Sequence, residues 1–408
     1  MLSFMEKRVP KHFVPIPFSY HQVIELSIDN VTNLGIGIGR IDTWVVMVPF
    51  VLTGERVRAR IYKNHKNYSE ADLLEILESS PHRREAKCPL YGLCGGCQYQ
   101  HIVYEEQLRM KQSHIREFFH RSGWTDAAVA PPLSGPEWHY RDKLTPHFQK
   151  PTFSQFPIGF LKRGNRNTLV DVPHCPIATE AINAALTHAR SEIYKQWSSY
   201  RHGQTLLFRD VEGKVYQDPN HIVEQDIGKY RFFFRAGSFF QNNTQVLSKM
   251  LPYVISQAAE DATDFLIDAY CGVGLFAISA ASHFKKIAGI EIDEDAVALA
   301  RKNAARNAID HVQFFHGTAE AVFEQITFPA DQSVVIIDPP RKGCESSFLQ
   351  QLMHFHPKKI IYISCDPSTQ IRDLREMYDQ GYYLRSIQPV DLFPQTRHME
   401  NIVTLSRD

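Results

Sequence analysis

The sequence predicts an α/β fold with a Rossmann-like sheet in its carboxyl-terminal part, preceded by an OB-like β-barrel and a central α+β region. From Gln22 to Leu77, alternating apolar segments are separated by glycine turns, which is typical of a five-stranded barrel. From Asp264 onward, short apolar strands alternate with helical segments, which is typical of a parallel sheet buried on both faces. At 408 residues the chain is long enough for several cores, and we expect three domains, at 19–80, 81–238 and 239–408.

The composition is that of a globular protein, with 43% hydrophobic and 22% charged residues. The 45 basic residues balance 45 acidic ones, so any affinity for nucleic acid has to come from local basic patches. The longest apolar stretch, Trp44 to Leu52, is shorter than the ~18 residues needed to span a bilayer. Nothing from Met1 to Lys11 marks the chain for secretion, so we expect a reducing, cytoplasmic location and no disulfides.

The barrel region carries a row of basic residues. Period-two alternation places Arg56, Arg58 and Arg60 on one face of a strand, and Lys63 follows just beyond them. Such a row indicates either a solvated sheet face or a surface that binds RNA. The pattern alone favours the solvated face.

The strands after Asp264 each finish in a polar residue. The four ends are Asp268, Glu291, Asp338 and Ser364. Because the carboxyl ends of parallel strands meet at one edge of a sheet, we expect the binding site along that edge.

A glycine turn, Asp268 to Gly274, follows the first of these strands and precedes a helix predicted from Leu275 to Ser282. Its glycines let the backbone approach a ligand closely at a helix N-terminus. Glu291 ends the next strand, where a carboxylate can accept hydrogen bonds from ribose hydroxyls. The pattern favours a nucleotide-like cofactor. The alternative is a turn made only for tight helix packing.

Two residues near the carboxyl end offer the chemistry for alkylating a pyrimidine. Carbon 5 of uracil is a weak nucleophile, and a thiolate that adds to carbon 6 activates it by pushing electron density onto carbon 5. A base must then remove the proton on carbon 5 before the thiolate can leave. Cys365, in the run Tyr362 to Pro367, offers the thiolate, and Glu400 offers the base. The alternatives are a small buried cysteine and a surface acid.

The chain resembles the RNA uracil-5-methyltransferase family, and most closely its 23S rRNA members that carry an iron-sulfur cluster. The resemblance extends from about residue 20 to 408 and rests on five motifs, at 239–243, 268–274, 338–343, 364–367 and 391–400. It implies a class I methyltransferase domain that uses S-adenosylmethionine. Arg341 after the two prolines argues against the enzymes that methylate exocyclic amines, which resemble this segment but place an aromatic residue there.

By this resemblance Cys365 is the nucleophile, Glu400 is the base, and Phe239 lies near the target base. The positions that match cofactor contacts are Gln241, Tyr270, Leu275, Glu291, Thr318 and Asp338. One departure is Asp366, where the family often has asparagine. A carboxylate beside the thiol would raise the pKa of Cys365.

Four further cysteines form a predicted metal site. Cys88, Cys94 and Cys97 lie close together around Gly95 and Gly96, and Cys175 lies far downstream. Four thiolates suit either zinc or a four-iron cluster, and spacing alone leaves both open. The glycine pair favours iron, and the resemblance implies a [4Fe-4S] cluster with these four ligands. The spacing differs from that of radical S-adenosylmethionine enzymes, so we expect a structural or RNA-positioning cluster. Cys271 and Cys344 are expected to take no part.

The barrel is similar to the TRAM domain, which makes RNA binding by its arginines the preferred interpretation. We expect a monomer that flips a uridine of 23S rRNA against Phe239, between Cys365 and the methyl donor. The alternatives are a tRNA substrate, methylation of another atom such as cytosine carbon 5 or a guanine nitrogen, and a non-catalytic RNA-binding or ribosome-assembly protein.

Overall fold

The computed structural model describes residues 9–261, 263–319 and 322–407. Most of the segment from Met1 to Lys11 that was inspected for a secretion signal therefore lies outside the described residues. The chain divides into two compact units. The first comprises residues up to Gln107 together with Gln395–Arg397, and the second comprises Leu108–Pro394 together with His398–Asp408.

The first unit contains the predicted five-stranded barrel. Its strands are β1 (Val23–Val31), β2 (Ile36–Ile41), β3 (Trp44–Pro49), β4 (Arg56–Asn64) and β5 (Tyr68–Glu78), closed in the order β1-β2-β3-β5-β4. Inward-facing valine, isoleucine and alanine side chains fill its core. Gly39 is required where β2 pairs with β1, because an added Cβ would lie 2.3 Å from the Ser27 carbonyl oxygen. The prediction of a small barrel is confirmed.

The second unit is dominated by a seven-stranded sheet. Its strands are β15 (Phe265–Ala269), β16 (Lys286–Glu291), β17 (Val312–His316), β18 (Ser333–Ile337), β19 (Lys359–Ser364), β20 (Tyr383–Val390) and β21 (Glu400–Ser406), in the order β17-β16-β15-β18-β19-β21-β20. The first five are parallel; β15, β16, β18 and β19 were predicted, whereas β17 was not. Strands β20 and β21 form an antiparallel return hairpin, which the sequence did not predict.

Helices pack against this sheet and start at recognisable caps. They are α3 (Thr244–Ala259), α4 (Leu275–Ser279), α5 (Glu294–Arg306), α6 (Val322–Gln325), α7 (Ser346–Phe355) and α8 (Pro367–Asp379). Asn243, Asp293 and Asp366 cap α3, α5 and α8 by accepting backbone N–H hydrogen bonds. The helix predicted from Leu275 to Ser282 ends as α4 at Ser279 and continues as a 3-10 turn.

Smaller sheets and two helices make up the rest of the second unit. The helices are α1 (Tyr104–Arg121), whose residues from Leu108 onward belong to this unit, and α2 (Glu180–Lys195). The strands are β6 (Lys143–Leu144), β7 (His147–Phe148), β8 (Gly159–Lys162), β9 (Asn165–Asp171), β10 (Gln204–Thr205), β11 (Phe208–Val211), β12 (Lys214–Tyr216), β13 (Ile222–Ile227) and β14 (Tyr230–Arg235). They pair in three separate sheets, β10-β7-β8-β9, β12-β11-β6 and β13-β14. No helix within the described ranges has both the length and the apolar character needed to cross a membrane.

Candidate active site

A cavity of about 800 Å³ opens at the carboxyl edge of the seven-stranded sheet. The predicted site residues that line it are Phe239, Gln241, Tyr270, Glu291, Thr318, Asp338, Cys365 and Glu400. Leu275 does not line it, because this side chain begins α4 and is buried in the hydrophobic core at 8% exposure. The parallel strands bring Tyr270, Glu291, Thr318, Asp338 and Cys365 together at their carboxyl ends, as expected, whereas Phe239, Gln241 and Glu400 come from other segments.

The glycine turn and Glu291 form one end of the cavity. The Gly272 N–H donates to Glu291 Oε2 at 3.0 Å, while Oε1 accepts from the N–H groups of Ile292 and Asp293. Gly272 has φ +53°, and an added Cβ there would meet no atom within 4 Å, so the backbone faces open space. A fixed carboxylate beside exposed backbone fits the ribose and carboxylate groups of S-adenosylmethionine.

The acid that precedes this turn, Asp268, is fully buried. Its Oδ2 accepts the Ala277 N–H at 2.9 Å, whereas Oδ1 has no hydrogen-bond partner among the described residues. Burial raises the pKa of Asp268 to about 8, so this carboxyl holds a proton at neutral pH. Sequence reasoning noted Asp268 only as a strand end.

Cys365 and Glu400 meet through the antiparallel return strand. β19 and β21 are antiparallel, and Ser364 pairs with Asn401. The residue after Ser364, Cys365, therefore lies opposite the residue before Asn401, Glu400. Glu400 is 8% exposed, which rules out the alternative of a surface acid. Both residues line the cavity together with Asp338.

The electrostatics of this end of the cavity favour neutral groups. Burial, together with the charge of Asp338, raises the pKa of Glu400 to about 8. Burial also raises the pKa of Asp338 to about 7. Burial raises the pKa of Cys365 to about 11, with further increases from Glu400 and Asp338. Arg341 opposes these shifts at both Cys365 and Glu400.

Arg341 lines the cavity but was not predicted as a site residue. Its position in the sequence, directly after Asp338 and two prolines, could have indicated it. The Thr369 hydroxyl donates to its carbonyl oxygen at 3.2 Å. Two residues on, an added Cβ at Gly343 would lie 2.7 Å from Asp373 Oδ2, so the loop packs directly against α8. Helix α8 thereby fixes the segment from which the Arg341 side chain enters the cavity.

Asp366 does not act on the thiol as predicted. Its Oδ1 accepts the Ser368 N–H at 2.9 Å and caps α8. The groups that raise the pKa of Cys365, after burial itself, are Glu400 and Asp338, and both face the thiol across the cavity. A carboxylate adjacent in sequence points along the helix and away from the reacting group.

Phe239 is held at the cavity by two cations. It is 77% exposed and belongs to the segment between β14 and α3. Lys143 Nζ donates to the carbonyl oxygens of Gly237 and Ser238, at 2.6 and 3.0 Å. The buried Arg209 side chain donates to Ser238 O at 3.4 Å and pairs with Asp142. Neither cation was assigned this role from sequence.

A buried ion pair holds the loop that leads to Glu400. Lys111 Nζ on α1 lies 2.7 Å from Asp391 Oδ1, and both side chains are at most 1% exposed. The same ammonium donates to the Phe393 carbonyl oxygen at 3.2 Å. Phe393 and His398 both line the cavity, and neither was predicted to do so.

Cys88 and Cys94 lie near each other in the first unit. Burial raises the pKa of the Cys88 thiol, and hydrogen bonds from the backbone N–H groups of Leu90 and Tyr91 partly oppose the rise. Burial likewise raises the pKa of Cys94, opposed by the Gly96 N–H. Sulfurs that accept backbone N–H groups suit a metal-bound thiolate. Across the described parts of the chain, however, no three His, Cys, Asp or Glu side chains are grouped so that they could hold a metal ion.

The row of barrel arginines is neutralised by acids on neighbouring strands. Arg56 pairs with Glu78 and Glu25, at 2.7 and 3.0 Å. Arg58 pairs with Glu25 at 2.8 Å and with Glu75. Arg60 pairs with Asp72 at 3.0 Å. The row is therefore a network of ion pairs and not an unpaired basic surface.

Known proteins are similar to this chain over most of its length. The family model tRNA (Uracil-5-)-methyltransferase matches residues 205–408, and the TRAM domain model matches residues 21–74. The tRNA (uracil(54)-C(5))-methyltransferase of Schizosaccharomyces pombe is 37% identical over 420 residues, covering 96% of this chain and 80% of that protein. The Saccharomyces cerevisiae protein of the same name is 32% identical over 482 residues, covering 96% and 75%.

A solved structure shares the fold over nearly its whole length. The Pyrococcus abyssi tRNA (uracil-54, C5)-methyltransferase in complex with S-adenosyl-L-homocysteine matches with a TM-score of 0.73 and 22% identity. The match covers 93% of this chain and 99% of that one. Together, the family model and the yeast relatives show that the chain belongs to the RNA (uracil-5-)-methyltransferase family, as its motifs predicted.

Proposed function

We propose that this RNA (uracil-5-)-methyltransferase uses Cys365 as its nucleophile and Glu400 as its base. The observation that carries the proposal is the register of β19 and β21, which sets the two residues opposite each other on the wall of one cavity. A nucleophile and a base within reach of one ring are what substitution at carbon 5 requires.

Cys365 adds first. Its sulfur bonds to carbon 6 of uracil, and the electron pair of the carbon 5–carbon 6 double bond moves toward carbon 5 and oxygen 4. Because burial raises the pKa of Cys365 to about 11, the thiol is protonated at rest and must lose its proton before it adds. Arg341, which lowers this pKa, is the cation in the cavity that favours the thiolate.

Glu400 completes the reaction. After carbon 5 has gained its substituent, the carboxylate removes the proton that remains there. The electron pair re-forms the ring double bond and expels the sulfur of Cys365. Because the pKa of Glu400 is raised to about 8, the carboxyl is half ionised near pH 8 and is poised to exchange protons in the neutral range.

S-adenosylmethionine, when bound, supplies an electrophilic methyl group. We propose that Gln241, Tyr270, Glu291, Thr318 and Asp338 bind it, since all five line the cavity together with Gly272 of the glycine turn. Leu275 is a weaker candidate because its side chain is buried away from the cavity. Phe239, exposed at the cavity wall, is proposed to stack on the target base.

We propose a tRNA uridine as the substrate. The S. pombe and S. cerevisiae relatives are both named as tRNA methyltransferases, and each aligns with 96% of this chain. The second candidate is 23S rRNA, which the cysteine motif at 88–97 favours through its resemblance to the rRNA enzymes. In either substrate the target uridine would have to be flipped out of its stack to reach the cavity.

Methylation of transcripts tests the activity and the substrate together. The purified protein is incubated with S-adenosylmethionine and either unmodified tRNA or 23S rRNA transcripts, and nucleosides are analysed by mass spectrometry. We expect 5-methyluridine in tRNA and none with Cys365→Ala. RNA containing 5-fluorouridine should form a covalent adduct with the wild type. Product in 23S rRNA alone would select the second candidate, and a full yield with Cys365→Ala would overturn the mechanism.

We also propose that Cys88, Cys94, Cys97 and Cys175 bind a [4Fe-4S] cluster. Four thiolates and the backbone N–H groups that face Cys88 and Cys94 support it. Protein purified without oxygen is assayed for iron, acid-labile sulfide and zinc. Cys88→Ser and Cys175→Ser should lose iron, whereas Cys271→Ala should keep it. Stoichiometric zinc without sulfide would overturn this proposal.

The proposal also covers the roles of the three predicted domains, the oligomeric state and the cellular location. Residues 19–80 would contribute to RNA binding, 81–238 would carry the cluster, and 239–408 would methylate. Matching of the TRAM model to residues 21–74 supports the first of these. A monomeric, cytoplasmic enzyme is expected, and light scattering on the purified protein tests the monomer.

A further inference from the structure

A basic hairpin, residues 159–171, extends from one of the small sheets of the second unit. It consists of β8 and β9, whose register pairs Lys162 with Asn165 across a two-residue turn. Gly164 in the turn has φ +69°, and an added Cβ would meet no atom within 4 Å. The first four residues of β9 are all exposed. Because successive side chains alternate between faces, this part of the strand is uncovered on both faces.

The sequence that leads into the basic hairpin and forms most of it contains no acidic residue before Asp171. Residues 143–170 contain five lysines and arginines and no aspartate or glutamate, although the whole chain carries 45 of each charge. Lys162 and Arg166 are exposed, and neither forms an ion pair with an acid in the described parts of the chain. Asp171, at the far end of β9, is paired with Arg190 at 2.8 Å.

The adjoining loop adds to the same surface. Gln149 Nε2 donates to the Asn167 carbonyl oxygen at 3.3 Å, which ties the residues after β7 to β9. The next residue, Lys150, is exposed and forms no ion pair with an acid of the described chain. Phe153, in the same loop, is exposed at 59%. Cations beside an exposed aromatic ring are the combination that binds unpaired nucleic acid strands.

The barrel provides the contrast. The three arginines of its β4 row are each within hydrogen-bond distance of a carboxylate, so much of their positive potential is cancelled locally. Lys162 and Arg166 have no such partner among the residues that the structure describes, and they project a net positive potential into solvent. In a chain of zero net charge, the basic hairpin is therefore better suited to attract a polyanion than the predicted arginine row.

We propose that the basic hairpin binds the phosphate backbone of the substrate RNA. Phosphate contacts fix the position and register of a nucleic acid without reading its sequence. The proposal rests on the proposed function only in naming the RNA, because the charge and exposure of Lys162 and Arg166 are independent of the catalytic residues. An acidic protein would be the competing partner.

The salt dependence of RNA binding tests this proposal. Fluorescence anisotropy measures the Kd of full-length protein for a labelled, unmodified tRNA transcript between 50 and 200 mM salt. The test variant is Lys162→Gln/Arg166→Gln. The matched control, Lys286→Gln/Arg375→Gln, removes the same two charges from exposed sites outside the cavity and the hairpin.

Loss of two phosphate contacts should reduce the magnitude of the slope of log K against log salt by about 1.4, at ~0.7 per contact with an unpaired strand. The rise in Kd between 50 and 200 mM salt should then be about 7-fold smaller than for the wild type. The control should keep the wild-type slope. At saturating RNA the test variant should retain kcat and show only a raised KM, with an unchanged unfolding midpoint.

A slope equal to that of the control would overturn the proposal and point to a partner other than RNA. A reduced slope in a protein that yields no 5-methyluridine would leave the basic hairpin as an RNA contact and would reject the proposed function instead. A fall in kcat at saturating RNA, with KM unchanged, would contradict a role confined to binding.

Discussion

Glu400→Gln should separate the two halves of the reaction. Glutamine has nearly the same shape as glutamate but cannot accept the proton from carbon 5. The buried site is 8% exposed, so no solvent base replaces it readily. Addition of Cys365 and methyl transfer should proceed, and the reaction should stop with sulfur still bonded to carbon 6. The variant is therefore expected to accumulate a covalent complex with ordinary uridine RNA.

The size of the effect follows from the role of the group. Removal of a positioned general base costs a factor of about 10² to 10⁴ in turnover. The addition step should not slow, because the charge of Glu400 raises the pKa of Cys365 and glutamine removes that charge. In the wild type, a carboxyl with a pKa of about 8 is ~9% ionised at pH 7 and ~91% at pH 9. This group alone should raise turnover about tenfold across that range.

The assay is denaturing gel electrophoresis of protein with end-labelled RNA, combined with mass spectrometry of the digested complex. Glu400→Gln should give a band that combines protein and RNA, with a mass that includes one methyl group on the uracil. The double variant Cys365→Ala/Glu400→Gln should give no band. Turnover of Glu400→Gln within tenfold of the wild type, or complete inactivity without a covalent complex, would refute the assignment of the base.

Three further predictions concern stability, each measured by urea unfolding. Lys111→Met should cost about 3–5 kcal/mol because it removes the ammonium that faces the buried Asp391 carboxylate, and Lys111→Met/Asp391→Leu should recover most of that loss. Between pH 5 and 8 the folded protein holds up to one more proton on Glu400 than the unfolded chain does, so Glu400 should contribute a fall in stability of about 1 kcal/mol per pH unit. Glu400→Gln should remove that contribution, and an unchanged slope would contradict the buried neutral carboxyl. Gly39→Ala should destabilise the barrel by about 1–3 kcal/mol, since its Cβ would lie 2.3 Å from the Ser27 carbonyl oxygen.

Most of the fold was predictable because it follows from local periodicity. Alternation marked the barrel strands, and buried apolar runs ending in polar residues marked β15, β16, β18 and β19. The antiparallel pair β20 and β21 was missed, because strand direction depends on pairing with a distant segment and not on the residues of the strand itself. That pair determines the geometry of the site, since it returns the chain to the end of β19.

The site was predictable where residue type and strand end coincide, as at Glu291, Asp338 and Cys365. The site was less predictable where a side chain forms hydrogen bonds with the backbone of another segment. Arg209 and Lys143 hold the carbonyl groups before Phe239, and sequence gives no sign of such contacts. The predicted effect of Asp366 on the pKa of Cys365 was wrong for a related reason. The two residues are adjacent in sequence, but the Asp366 carboxylate caps α8.

The barrel arginines show why a basic pattern on one strand does not predict a basic surface. Arg56, Arg58 and Arg60 do share one face of β4, but the acids that neutralise them come from β1 and β5 on either side. A strand that pairs on both sides, as β4 does, has cross-strand neighbours that its own sequence does not reveal. β9 is an edge strand whose exposed first half carries Arg166, and this side chain forms no ion pair with an acid in the described parts of the chain. Unpaired charge at an edge, and not the number of basic residues, is what draws a polyanion to this protein.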